Sequence, residues 1–323
     1  MTRNKRALLT VTMVASLWFD ASAMVKRQQN TNQTSTMNSP DPRIASTTER
    51  AKQGDAKAEY QLGWSLMTGT SVPKDYKEAV VWLQKSAQQN YPDAEFALGY
   101  LYEQGKGVKK SYPEAIKYYS AAAEQGNTIA ENNLGSMYEH GEGVHKNLGR
   151  AAEWYRKAAS QGEFIAACNL ATLYFKGRGV ARDYSEAANW FGVAANRGYP
   201  PAQEDLAWMY YHGSGVSLDL AEAAKWVRRA AALGYPPAQL DLGYLYEQGK
   251  GVPLDHVAAY MWYKIAVDGG ERRAAAQLKS LSSLMTDSQI KQAASAAAQL
   301  KLSTPKYAGG TESSIGSLWL PPR

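Results

Sequence analysis

Shifted by 36 residues, the chain aligns with itself repeatedly and without a gap. A sequence with such a period is one supersecondary unit stacked on copies of itself, because each unit buries its apolar face only against its neighbours. Ala58 recurs as Ala94, Ala130, Ala166, Ala202, Ala238 and Ala274. Leu62 recurs as Leu98, Leu134, Leu170, Leu206, Leu242 and Leu278. Gly69 returns as Gly105, Gly141, Gly177, Gly213 and Gly249, and Val72 as Val108, Val144, Val180, Val216 and Val252. Ala79 returns as Ala115, Ala151, Ala187, Ala223 and Ala259, followed by an aromatic column of Trp82, Tyr118, Trp154, Trp190, Trp226 and Trp262.

The spacing within each copy predicts two helices. Ala58, Leu62, the small Gly63 and the residue one turn on (Leu66, then Tyr102, Tyr138, Tyr174, Tyr210 and Tyr246) fall at i, i+4, i+5 and i+8. That is one face of a first helix, A. Gly69 and its equivalents end it, where glycine tolerates a left-handed backbone. A Gly-x-Gly-Val turn follows, with the valine expected to tuck into the layer. Asp75, Asp183, Asp219 and Asp255 then stand where an acceptor can cap a second helix, B. In helix B the core face is expected to carry Ala79, Trp82 and the paired alanines, such as Ala122-Ala123 and Ala158-Ala159. Gly126, Gly162, Gly198, Gly234 and Gly270 close the unit.

This pattern resembles the Sel-one-like (Sel1-like) repeat, a relative of the tetratricopeptide repeat. Residues 238–270, AQLDLGYLYEQGKGVPLDHVAAYMWYKIAVDGG, are a near-complete copy, and the resemblance runs over roughly residues 46–300. The copies depart from it at Ser71, Leu66 and Arg150. The resemblance implies an all-α, right-handed alpha-alpha superhelix of six 36-residue helix–turn–helix repeats, over about 55–270, with capping helices. Residues 46–54 are expected to close one end as the remnant of a helix B. Residues 272–284 form a degenerate helix A. Thr286-x-x-Gln289 reads as a capping box opening a last helix to about Leu300.

The ends carry different signals. A basic start (MTRNKR), an apolar stretch from Ala7 to Phe19 and the small-x-small run Ala21-Ser22-Ala23 stand in the order of a secretory signal peptide over residues 1–23. The apolar stretch is shorter than the ~20 residues that span a bilayer. Residues 24–45, rich in Asn, Gln, Ser and Thr, read as a flexible linker. Residues 301–323 are a C-terminal tail whose Leu318, Trp319 and Leu320 leave docking open. The expected location is the periplasm or the exterior of a bacterium, with no transmembrane span after cleavage.

The search for chemistry is short. The single cysteine, Cys168, excludes an intramolecular disulfide and shares its column with Tyr60, Phe96 and Leu240, as a core residue would. His140 and His212 are two repeats apart, and layers roughly 10 Å thick hold them too far apart for one metal. His145 and His256 stand alone. Gly-x-Gly-Val lacks the third glycine and preceding strand of a dinucleotide loop. Catalytic, cofactor-binding and metal residues are therefore expected to be none, and no enzyme activity is expected. Net charge is +6, with +2 of it in residues 1–23. No basic run or stripe is visible elsewhere, so nucleic acid is not an expected partner.

What remains is the surface of helix A. In tetratricopeptide relatives this helix lines the concave side, so its non-core columns are the candidate partner-binding face. One column reads Trp64, Tyr100, Ser136, Thr172, Trp208 and Tyr244; a second reads Gln61, Ala97, Asn133, Asn169, Asp205 and Asp241; a third reads Met67, Glu103, Glu139, Phe175, Tyr211 and Glu247. Aromatic anchors beside amides and carboxylates suit a protein or peptide partner. The candidate set is Trp64, Tyr100, Asn133, Asn169, Asp205, Trp208, Tyr211, Asp241 and Tyr244. The function the resemblance implies is an exported protein-interaction scaffold or regulatory adaptor. The alternative is peptidoglycan or glycan binding or β-lactam hydrolysis. Family members linked to that activity carry a disulfide in each repeat, which this chain lacks.

Overall fold

The computed structural model describes residues 42–303. It is all-helical over those residues, with fifteen helices and no strand. A first helix, α1 (Pro42–Lys52), precedes six A–B pairs: α2 (Ala56–Thr68) with α3 (Tyr76–Gln88), α4 (Pro92–Gln104) with α5 (Tyr112–Glu124), α6 (Thr128–His140) with α7 (Leu148–Ser160), α8 (Phe164–Lys176) with α9 (Tyr184–Asn196), α10 (Pro200–His212) with α11 (Leu220–Ala232), and α12 (Pro236–Gln248) with α13 (His256–Asp268). Two helices close the series, α14 (Ala274–Ser282) and α15 (Asp287–Ser303). α1 starts four residues inside the expected linker, and α15 ends three past Leu300. The expected signal peptide, most of the linker and the tail lie outside the described residues. The helices gather in two compact units, residues 42–163 and residues 164–303. The first holds α1 to α7 and the second α8 to α15.

Local chemistry sets each boundary. Every helix A and B of the six pairs is thirteen residues long. Asp75, Asp183 and Asp255 each accept from two backbone amides in the first turn of helix B, while Asn147 and Asp219 accept from one. Helix A starts in two ways. Asp55 and Asn127 cap α2 and α6 with a side-chain acceptor. At Tyr91, Tyr199 and Tyr235 no side chain caps, and a proline at the first helical position removes an amide that would otherwise need a partner. The N–H of the helix B cap donates to the carbonyl of Leu66, Tyr102, Tyr138, Tyr174, Tyr210 or Tyr246, closing each hairpin at 2.8–3.1 Å.

The two glycines of the turn do different work. The first, as at Gly105 (φ 66°), ends helix A in the left-handed region. The second lies against the preceding repeat. A Cβ on Gly107 would meet the Tyr76 carbonyl oxygen at 2.3 Å, and one on Gly251 the Leu220 carbonyl oxygen at 1.9 Å. The first repeat has the exposed Ser71 there, at φ 64°.

The core columns differ from expectation by one residue in each helix. In helix A the alanine and leucine columns are buried as expected, but the third member is Leu101, Met137, Leu173, Met209 and Leu245, each at most 1% exposed. The Tyr102 to Tyr246 column beside it is half-buried. In helix B the core residue is not the Trp82 column but its successor: Leu83, Tyr119, Tyr155, Phe191, Val227 and Tyr263, all at most 1% exposed. Trp82, Tyr118, Trp154 and Trp190 are half-buried, whereas Trp226 and Trp262 are nearly covered. Amphipathic rings suit this flanking position, where cations can cover them: Lys85 lies over Trp82, Lys157 over Trp154 and Arg229 over Trp226. The small residue of helix A is explained by the true core column. A Cβ on Gly99, Gly135 or Gly243 would come within 2.5–2.6 Å of the ring of Tyr119, Tyr155 or Tyr263.

Candidate functional site

A tyrosine in a dry core needs an acceptor for its hydroxyl. In three repeats helix A supplies a glutamate: Tyr119 donates to Glu103 at 2.7 Å, Tyr155 to Glu139 at 3.0 Å and Tyr263 to Glu247 at 2.6 Å. Where the core residue is Leu83, Phe191 or Val227, the same helix A position is Met67, Phe175 or Tyr211. Half of the third column is thus tied to the interior. Burial drives the Glu103 carboxyl up to about 7, against the opposing bond from Tyr119 and with repulsion from Glu142 added. Asn133 is buried and acts on the Tyr119 hydroxyl in the sense opposite to Glu103, so this candidate belongs with the core of the first unit.

The second column also turns inward. Asp205 and Asp241 have no exposed surface and lie with the equally buried Glu204. Burial, followed by repulsion from Asp241 and Asp205, holds the Glu204 carboxyl well above the ordinary range. Arg273 is the balancing cation. It is gripped by Glu271 through two bonds, of 2.8 and 2.7 Å, and its field reaches Glu204 and Asp241. Asp205 and Asp241 therefore offer no surface to a partner, which corrects their place in the candidate face. The reason is their position on helix A, which points between adjacent repeats rather than outward. Asn169 is half-buried.

The first column behaves as a surface. Trp64, Trp208 and Tyr244 are half-buried and Tyr100 is nearly covered. In the first unit Trp64 leans on Tyr60, with ring centroids 6.0 Å apart, and the Tyr100 hydroxyl accepts from Lys106 at 2.8 Å. In the second unit three candidates converge. The Trp208 ring meets Phe175 edge-on at 5.3 Å and stacks on His212 at 4.1 Å. Lys250 donates to the Tyr211 hydroxyl at 2.6 Å and reaches that of Tyr244 at 3.5 Å. The bond to Tyr211 holds the Lys250 pKa above its ordinary value. Phe175, His212 and Lys250 were not in the candidate set. Their signal was present: His212 is four residues from Trp208, and LGYLYEQGKGV occurs identically at 98–108 and 242–252, placing a lysine beside the column tyrosine in both.

The histidines are accounted for locally. The Nδ1–H of His140 donates to the Ser136 carbonyl at 2.9 Å, and that of His212 to the Trp208 carbonyl at 3.0 Å. Cys168 is buried and forms no disulfide within the chain. Among the described residues no group of three or more His, Cys, Asp or Glu is arranged to hold a metal ion. Nor is any described helix long and apolar enough to cross a membrane.

The family model of the Sel1 repeat matches residues 56–91, 92–127, 128–163, 165–199, 200–235 and 236–271, one match for each A–B pair. No curated protein matches the chain. Among solved structures the chain is similar to c5321, a protective antigen present in uropathogenic Escherichia coli strains and displaying an SLR fold, at 34% identity and a TM-score of 0.71. That likeness covers 78% of this chain and 56% of the antigen, so the chain spans little more than half of that protein. It is also similar to a Sel1 repeat protein from Oxalobacter formigenes, at 32% identity and a TM-score of 0.64, over 75% of this chain and 96% of that one. Six matched repeats that coincide with six helical hairpins make this chain a member of the Sel1 repeat family.

Proposed function

We propose that the protein is an exported protein-interaction scaffold or adaptor, and that it binds a protein or peptide partner through helix A of its repeats. The observation that carries this reading is the aromatic cluster of the second unit. Trp208, Phe175, His212, Tyr211 and Tyr244 hold rings against one another and against Lys250 while remaining open to solvent. Rigid rings with a polar handle are the side chains on which binding energy concentrates. Family membership supports the same reading. The order of basic, apolar and small-x-small elements in residues 1–23 supports export. Mass spectrometry of the protein recovered outside the cytoplasm is expected to find Met24 at the N-terminus. A form starting at Met1 in the membrane fraction would refute cleavage.

The binding test is a Trp208→Ala, Tyr244→Ala double substitution, read by partner capture and by thermal melting. Loss of the two anchors is expected to cost ~2 kcal/mol or more of affinity with the helical signal intact. Trp226→Ala, in a nearly covered position, should instead cost ~3–5 kcal/mol of stability. If the double variant melts as badly as Trp226→Ala, the cluster is packing and not a binding face.

A further inference from the structure

The residue before each helix B cap forms a column that the linear sequence scatters. In the first unit it is Lys74, Lys110 and Lys146, all exposed. Lys109 and His145 stand beside them, and the turn 105–111 carries three lysines and no carboxylate. This corrects the expectation that no basic stripe exists beyond the N-terminus. A period of 36 residues hides it.

The turn does not need these cations. Its first glycine faces only the base of the side chain: a Cβ added to Gly105 would lie 3.0 Å from the Lys110 Cβ, and one added to Gly141 would lie 3.1 Å from the Lys146 Cβ. In the second unit the same column is Arg182, Leu218 and Leu254, and a Cβ added to Gly213 or Gly249 would lie 3.2 Å from the leucine Cβ. The hairpin closes identically with leucine there. Among the described residues, the ion pairs Arg50–Asp55, Lys52–Glu49, Lys117–Glu114 and Lys157–Glu131 leave out Lys74, Lys110 and Lys146, of which Lys110 does feel the field of the buried Glu103. The lysines of successive turns face one edge: Lys74 and Lys106 both lie over the Tyr76 ring, at 5.7 and 5.6 Å, and Lys110 lies over Tyr112 at 4.5 Å.

We propose that this edge of the first unit docks an acidic, extended segment of a protein partner. The inference rests on the scaffold reading and names the partner's chemistry. Successive repeats stack as layers, the Gly107 turn of one lying against Tyr76 of the repeat before it, so the column presents one ammonium per layer, a step on the order of 10 Å. A polyproline II strand has three residues per turn and advances roughly 9 Å in that turn. Carboxylates at every third residue of such a strand therefore meet successive lysines. A nucleic acid fits less well, because the Tyr76 and Tyr112 rings on which bases would stack are covered by lysines. A membrane also fits less well. Among the described residues of this unit the one exposed large apolar side chain is Val81, on helix B away from the turns.

Fluorescence anisotropy of a labelled Glu-Pro-Pro repeat peptide against the full chain tests this. Binding is expected to weaken with rising salt and to exceed that of a peptide of equal composition with its glutamates clustered. The Lys74→Leu, Lys110→Leu, Lys146→Leu variant copies the second unit's own column. It should melt like the parent and lose about tenfold or more in affinity, whereas Lys85→Leu, Lys117→Leu on helix B should not. Undiminished binding by the triple variant overturns the proposal. So does a triple variant that loses binding to phosphatidylglycerol vesicles or duplex DNA when the parent never bound the peptide. The Trp208→Ala, Tyr244→Ala variant should keep the peptide, so failure of the aromatic face is distinguishable from failure here.

Discussion

Glu103 couples the core of the first unit to pH. Its carboxyl is 3% exposed, and one oxygen accepts from Tyr119 while the other has no partner. The unfolded chain releases this proton near the ordinary 4.5 and the folded chain near 7. Between those values the folded state holds more protons, so stability falls as pH rises through the window. The penalty is absent below it and complete above it, on the order of 3 kcal/mol. Glu103→Gln keeps an acceptor for Tyr119 and removes the charge. Urea unfolding of this variant should show a shallower decline of stability across the window, the remainder belonging to carboxyls such as Glu204, and a gain over the parent in mild alkali. Parallel curves for the two proteins would refute the assignment. Tyr119→Phe should act oppositely, costing ~1–3 kcal/mol because a buried carboxylate loses its one donor from the core.

Within one hairpin, the glycine that ends helix A and the glycine that meets the preceding repeat are under different constraints. Gly107→Ala combines a left-handed φ of 73° with a Cβ 2.3 Å from a backbone oxygen that cannot rotate away. It should cost at least ~2 kcal/mol. Ser71→Gly, at the equivalent turn of the first repeat, relieves a positive φ of 64° in an exposed residue and should change stability by less than ~1 kcal/mol. The hairpin itself was legible because its punctuation is chemical: glycine stops, aspartate caps and a constant length all leave marks in the sequence. The register of the buried face was less legible. Large aromatics at Trp82 and Tyr102 drew the core assignment, although the 4-then-3 spacing Ala94, Leu98, Leu101 marks the covered stripe. Tryptophan and tyrosine tolerate a half-wet flank, so size alone misplaces them. Tyr155→Ala should therefore cost ~3–5 kcal/mol and its neighbour Trp154→Ala less than half of that, by thermal melting. Equal losses would restore the expected register. The carboxylates of the candidate face were misplaced for a related reason. Asp205 and Asp241 look solvated by type, and although Glu204 adjoins Asp205 in the sequence, nothing there reveals that Asp241 and Arg273 join them.

At the scale of the whole molecule, a stack of repeats is vulnerable where it stops, because the last unit has an apolar face with no successor. Here α14 and α15 serve as that successor. Ala274 and Leu281 of α14 are fully buried against Leu240, Ala259, Tyr263 and Ala266, with Leu278 and Met285 packed at the margin. α15 opens with a reciprocal cap, Thr286 accepting from the Gln289 amide at 3.3 Å while the Gln289 side chain accepts from the Thr286 amide at 2.9 Å. It packs back onto α13. Leu281→Ala should accordingly cost ~2–5 kcal/mol, more than a surface change in so short a helix could. A chain stopped after Gly270 keeps all but the last residue of the sixth repeat match yet bares Leu240 and Tyr263. It should melt at lower temperature than the parent and associate as its concentration rises, by scattering. If it stays monomeric with an unchanged melt, the six repeats are self-sufficient and the two closing helices serve something other than the stack.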